Sequence, residues 1–137
     1  MSCAARLAAE AQRAIAVYAA DARAHRARRL SYTDFAVLMG YAPSRARGLG
    51  PLLAALRQGC HARGLPDICT VIVAAGTEMP SARSFDVLTG IWHGTVLDRD
   101  GVRAEQARVL AWDWAQVARA GALIPAAPPV DTPPTAL

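Results

Sequence analysis

Two arginines, Arg45 and Arg47, lie in the segment SRARG, between a predicted turn and an apolar stretch with helical spacing. Guanidinium groups are planar and carry several donors, which suits them to phosphate oxygens and base edges. Hydroxyl groups at Ser31, Tyr32 and Ser44 could contact phosphates close by. These residue types predict a nucleic-acid surface that needs neither a nucleophile nor a metal.

Other chemistries find little support in the sequence. Cysteines occur at positions 3, 60 and 69, without the spacing of a disulfide framework or a CxxC pair. Cys60 and His61 are adjacent, and neighbours on a helix point about 100° apart, which disfavours joint zinc chelation. The pair Asp98 and Asp100 lacks the remaining ligands of a calcium loop. We therefore expect no metal, no cofactor and no catalytic activity.

Charge is distributed unevenly along the chain. All 15 basic residues are arginine, and the formal net charge is +4. Residues 1–63 hold ten arginines against three acids, a charge of +7, and residues 64–137 hold five against eight, a charge of −3. Such asymmetry favours a polyanion partner for the first half. The approach surface would comprise Arg23, Arg26, Arg28 and Arg29, although cations near a helix C-terminus also have a purely structural explanation.

The elements that must position these groups begin with helices. Residues 3–29 are alanine-rich and predict one long helix. Ser31 is an expected N-cap, with Asp34 in the first turn of the next helix, and Phe35, Leu38 and Met39 form its buried side. Gly40 suits the left-handed position that ends a helix.

Past this turn the pattern leaves alternatives open. Ser44 could cap a second helix, but Pro51 requires a helix start or a kink. We expect either one kinked helix over 44–62 or a short helix leading into 51–62. Residues 68–74, ICTVIVA, predict a strand, and residues 78–85 a ragged return strand, which together would form a hairpin wing.

A final helix is expected over 102–119, with Trp114 in the core and Trp112 half exposed. Five prolines after residue 120 predict a disordered tail over 121–137. The fold class is thus mainly α: a single domain over 1–120, built as a winged helix-turn-helix with a long N-terminal helix, a small β-hairpin wing and a C-terminal helix. No apolar run is long enough to span a membrane, so no membrane partner is expected, and the cysteine pattern favours the cytoplasm.

The segments YTDFAVLMGYAPSRARGLGPLLAAL and GLPDICTVIVAAGT resemble the DNA-binding domain of O6-alkylguanine-DNA alkyltransferases and the alkyltransferase-like proteins. The resemblance covers about 45 residues, approximately 31–77, and implies that Arg47 enters the duplex while Tyr32 presses on a backbone phosphate. The family's alkyl-accepting Pro-Cys-His-Arg motif is absent, because Cys69 lacks the following His-Arg. The resemblance therefore implies binding without alkyl transfer.

Two functions from different classes remain. The first is non-catalytic binding of double-stranded DNA through a helix-turn-helix. The second is a small protein-interaction module, such as a phage-type inhibitor or adaptor, which uses the same fold without DNA. The surroundings of Arg45 and Arg47 discriminate between them, because arginines bound to acidic side chains would not be available to phosphate.

Overall fold

The computed structural model describes residues 2–81, 91–92, 95–96 and 98–120. The chain is mainly helical. Its α-helices are α1 (Cys3–His25), α2 (Tyr32–Leu38), α3 (Gly50–Ala62), α4 (Arg99–Ala111) and α5 (Trp114–Ala120). Two 3-10 helices, η1 (Pro43–Gly48) and η2 (Ile68–Val71), flank α3. The strands are β1 (Leu30–Ser31), β2 (Ile72–Val73), β3 (Ile91–Trp92) and β4 (Thr95–Val96).

Helix α1 packs against α3 and α5. The Ser2 hydroxyl caps its first turn by accepting from the backbone N–H of Ala5 at 3.1 Å. Its buried face includes Ala11, Ala14 and Tyr18, the spacing that the sequence predicts. Tyr18 is almost completely buried and makes an edge-on contact with Trp114, with ring centroids 5.2 Å apart. This contact packs the first helix, α1, against the last described helix, α5.

The predicted end of the first helix is wrong by four residues. Helix α1 stops at His25 because Arg26 adopts a φ of 81°, which no helix can continue. The following residues belong to no helix or strand and lead into β1. Of the four arginines expected to crowd the helix end, only Arg23 lies within α1.

The start and end of α2 are as predicted. The Ser31 hydroxyl accepts from the backbone N–H of Asp34 at 3.0 Å, and Phe35 is completely buried. Gly40 follows with a φ of 83°, the left-handed conformation that glycine adopts without strain.

Beyond that turn the structure takes the second of the two expected forms, a short helix leading into a longer one. Pro43 stands at the first position of η1, where its missing N–H costs nothing. The prediction that Ser44 caps this helix is wrong. Ala42 occupies the cap position without a side-chain hydrogen bond, and Ser44 lies inside η1.

The strand predicted over 68–74 is largely wrong, because its first four residues form η2. The Asp67 carboxylate accepts from the backbone N–H of Cys69 at 3.0 Å, and the Thr70 hydroxyl donates to the Asp67 carbonyl at 2.8 Å. These local bonds stabilise a turn and outweigh the β propensity of the apolar run. Only Ile72 and Val73 remain extended.

The predicted wing also differs. Strand β2 pairs in parallel with β1, with Leu30 opposite Ile72 and Ser31 opposite Val73, instead of pairing with a return strand. Residues 78–81 form no strand, and the rest of the expected return strand, 82–85, lies outside the described residues. A separate antiparallel pair joins β3 and β4. The parallel pair fixes the start of α2 against the chain that follows α3.

The expected C-terminal helix over 102–119 consists of two helices. Trp112 is extended, with a ψ of 149°, and Asp113 accepts from the backbone N–H of Gln116, so α5 begins anew. Trp114 is buried and Trp112 is 37% exposed, as predicted. The predicted tail over 121–137 lies outside the described residues.

Candidate nucleic-acid interface

The short helix η1 presents the two arginines on which the sequence analysis rests. Ser44, Arg45 and Arg47 are all exposed, and none of the η1 residues is buried. Only Leu49, directly after η1, inserts into the core, at 1% exposure. The segment is thus anchored by Leu49 at its C-terminal end, while its arginines are exposed.

Arg45 lies against an aromatic ring. Its guanidinium carbon is 4.5 Å from the centroid of the Tyr41 ring, and that of Arg13, from α1, is 5.6 Å from the same centroid. Both distances are within the range of cation–π attraction. The Tyr41 ring therefore holds Arg45 in a defined orientation on the surface.

A carboxylate completes this group. Glu10 accepts two hydrogen bonds from Arg13, at 2.9 and 3.0 Å, and one from the Tyr41 hydroxyl. The Arg13 bonds, followed by the Tyr41 bond, lower the pKa of Glu10 to about 2, and the charge of Arg45 contributes further. We call Glu10, Arg13, Tyr41 and Arg45 the Tyr41 cluster. Its formal charge is +1, because the negative charge of Glu10 offsets one of the two arginine charges.

Arg47 has fewer contacts than Arg45. It makes no hydrogen bond, ion pair or ring contact with any residue in the described part of the chain, and Asp34 pairs with neither arginine there. It lines the edge of a cleft between η1, the start of α3 and the turn after β2. Its guanidinium is therefore available to an anion.

The three predicted hydroxyl groups have different surroundings. The Tyr32 hydroxyl accepts from the backbone N–H of Ser81 at 2.9 Å and lies 3.4 Å from the Ser81 hydroxyl. The Ser31 hydroxyl accepts the capping bond described above, which leaves its own proton for a partner. Ser44 is exposed on η1 beside Arg45.

Of the four arginines of the predicted approach surface, two make polar contacts in the segments that the structure describes. Arg28 pairs with Asp21 at 3.2 Å, and Arg29 donates to Gln106 at 3.4 Å. Arg23 and Arg26 are exposed and have no acidic partner among the described residues. The Tyr41 cluster contacts α1 at residues 10 and 13, and Arg23 lies about 15 Å further along the helix axis.

The cleft beside Arg47 contains groups that the sequence analysis missed. Its volume is about 860 Å³, and Arg57 and Cys69 line it together with Tyr32, Arg47 and Ser81. Arg57 is 3% exposed, and its Nε lies 3.5 Å from Asp67 Oδ2. A sequence signal existed: position 57 lies four residues after Leu53 and three before Cys60, on the buried stripe of α3.

The Cys69 thiol is buried against this cleft and donates to the Leu53 carbonyl at 3.0 Å. Burial, and secondarily the charge of Asp67, raises the pKa of this thiol well above its ordinary value. A thiol of raised pKa carries little thiolate and is a weak nucleophile.

Comparison with known proteins gives no relative for this chain: no family model, no curated protein and no solved structure matches it. Within residues 2–81 and the shorter described segments, no helix is long and apolar enough to cross a membrane. Over the same residues, no three of the histidine, cysteine and acidic side chains group closely enough to hold a metal ion.

Proposed function

We propose that this protein binds double-stranded DNA without catalysis, using a helix-turn-helix in which α2 is the first helix and η1 with α3 the second. One observation carries the proposal: Arg45 and Arg47 face outward from η1, and neither has a hydrogen bond or ion pair to a carboxylate within the described residues. Arginines in this position suit phosphate oxygens and base edges.

The charge around η1 supports this function. The Tyr41 cluster carries +1, and Arg47 raises the local charge to +2. Binding a polyanion here releases counterions from the DNA, which makes affinity fall as salt rises. The exposed Arg23 and Arg26 would add a second, more distant attraction.

The resemblance to alkyltransferase-like DNA-binding domains gives the finer form of the proposal. In that form Arg47 enters the duplex and Tyr32 presses on a phosphate. The Tyr32 hydroxyl would then exchange its bond to Ser81 for one to a phosphate oxygen. The raised pKa of the Cys69 thiol agrees with binding that involves no alkyl transfer.

A mobility-shift comparison tests this proposal. The probes are a random-sequence duplex and the same duplex with one mismatch, and the proteins are wild type, Arg47→Ala and the control Arg103→Ala on α4. We expect Arg47→Ala to weaken both complexes, and the mismatched one more strongly, because extrusion of a base costs least at a mismatch. Equal binding by all three proteins would contradict the proposal. If no protein shifts either duplex, a protein-interaction module becomes the better account.

A further inference from the structure

The cleft beside η1 contains a positively charged side chain that is buried in the fold and still reaches the cleft surface. Arg57 lies on the buried stripe of α3 at 3% exposure, and it is one of the residues that line the cleft. Burying a guanidinium is costly unless it is compensated. The fold accepts this cost at a position where the apolar spacing of α3 would accommodate leucine.

A chain of contacts holds Arg57 from behind. Asp67, itself 1% exposed, lies 3.5 Å from Arg57 Nε. Its other carboxylate oxygen accepts from the backbone N–H of Cys69 at 3.0 Å, and its own N–H donates to Glu105 of α4 at 2.8 Å. Asp67 does not line the cleft. The carboxylate thus lies beside Arg57 Nε, and Arg57 lines the cleft whereas Asp67 does not.

The charges that border the cleft favour an anion. Arg57 lies at the buried end and Arg47 at the exposed end. With Asp67 behind them, the three groups have a formal charge of +1. The remaining walls are largely apolar, with Pro51, Leu53 and the Tyr32 ring among them.

The volume limits the size of the ligand. About 860 Å³ lies within the usual range of small-molecule sites. We propose that this cleft binds a small phosphate ester, with its phosphoryl oxygens on Arg57 and Arg47 and its organic part against Pro51, Leu53 and Tyr32. The site shares Arg47 with the proposed DNA interface but does not require duplex DNA.

Titration calorimetry of the full chain with phenyl phosphate tests the site, with phenol as the uncharged comparison ligand. We expect saturable binding of phenyl phosphate at one site per chain and none of phenol. Arg57→Met should weaken binding at least tenfold, as expected for a lost charged hydrogen bond. Since this variant leaves Asp67 buried without its cation, Ala75→Trp serves as a second variant. It blocks the cleft from an exposed position and should abolish binding, whereas Ala20→Trp on the exposed side of α1 should have no effect.

Absence of saturable phenyl phosphate binding, or unchanged binding in Ala75→Trp, would overturn the inference. Arg45→Ala separates the two proposals, since it should weaken duplex binding and leave phenyl phosphate binding intact. A duplex carrying 5′-phosphates identifies the source of the phosphate. If it displaces phenyl phosphate and the unphosphorylated duplex does not, the cleft takes a strand end; if neither does, the ligand is a free small molecule. Duplex binding without phenyl phosphate binding would overturn this inference alone.

Discussion

The guanidinium of Arg45 lies 4.5 Å from the centre of the Tyr41 ring, which is itself bonded to Glu10 on α1. Through this relationship the long N-terminal helix fixes the direction of a side chain on η1. Holding a flexible arginine in advance reduces the entropy lost when it binds an anion. The Tyr41 cluster therefore links the packing of α1 to the proposed interface.

Replacement of Tyr41 separates its two roles. Tyr41→Phe keeps the ring and loses the bond to Glu10, so duplex affinity should remain within about twofold of wild type. Tyr41→Leu loses the ring and should lower affinity about two- to fivefold, the value of a cation–π contact at an exposed site. Fluorescence anisotropy with a labelled duplex measures both. Equal affinity for the Phe and Leu variants would show that the ring does not position Arg45.

Gly40 should be the glycine whose replacement damages the α2–η1 turn. Its φ of 83° is unfavourable for alanine, although a Cβ there would meet nothing within 4 Å. Gly40→Ala should therefore cost about 1–2 kcal/mol of unfolding free energy from backbone strain alone. Gly48→Ala is the matched control, since that site is equally open and has no positive φ. Urea denaturation measures both, and equal stabilities would contradict the assigned turn.

The Tyr18 hydroxyl has a structural role, because it donates to the Arg28 carbonyl at 3.0 Å. This bond holds the segment between α1 and β1 in place. Tyr18→Phe leaves that carbonyl without its donor and should cost about 1 kcal/mol in urea denaturation. Duplex binding at a temperature where both proteins are folded should be unchanged. A neutral effect on stability would mean that water replaces the hydroxyl.

Asp67 should give stability an unusual dependence on pH. Burial raises the pKa of this carboxyl from 3.8 to about 6, despite the nearby Arg57. Between these values the folded state holds more protons than the unfolded state, so the Asp67 contribution to stability falls as pH rises from about 4 to 6. Asp67→Asn should remove this dependence.

The measurement for Asp67 is the difference in unfolding free energy between wild type and Asp67→Asn at several pH values. The unfolding free energy of wild type minus that of Asp67→Asn should fall as pH rises from about 4 through 6, and it should become constant only about one pH unit above the folded-state pKa. Glu10 has a lowered pKa and titrates with the opposite sign, but it is present in both proteins and cancels in the difference. A difference that grows over this interval would show that the Arg57 charge, and not burial, dominates at Asp67.

The sequence predicts what depends on local chemistry. The Ser31 cap, the Gly40 turn and the buried stripes of α1 and α3 follow from side-chain spacing and backbone preference. The prediction of a strand over 68–74 fails, because the Asp67 side chain caps a turn that β propensity alone cannot reveal. The parallel pairing of β1 with β2 is also out of reach, since it joins segments about 40 residues apart.

Part of the candidate site could also be predicted from the sequence, and part could not. Exposure of Arg45 and Arg47 could be predicted, because polar residues beside a proline and a glycine favour the surface. The Tyr41 cluster and the Arg57–Asp67 pair could not, since each brings together residues from different elements. Arg57 is a charged residue at a position where the helical spacing of α3 predicts an apolar one. This conflict is the feature of the sequence that could have indicated the buried site.

If η1 binds duplex DNA through its arginines, the affinity must depend strongly on salt. Anisotropy titrations of one labelled duplex at about 50 to 200 mM salt should give a steep linear fall of log affinity with log salt for wild type. The double variant Arg45→Ala, Arg47→Ala should bind more weakly, and the slope of log affinity against log salt should be smaller by about two. The control Arg103→Ala should bind with wild-type affinity. An affinity that does not change with salt, or a double variant that matches wild type, would contradict this mode of binding.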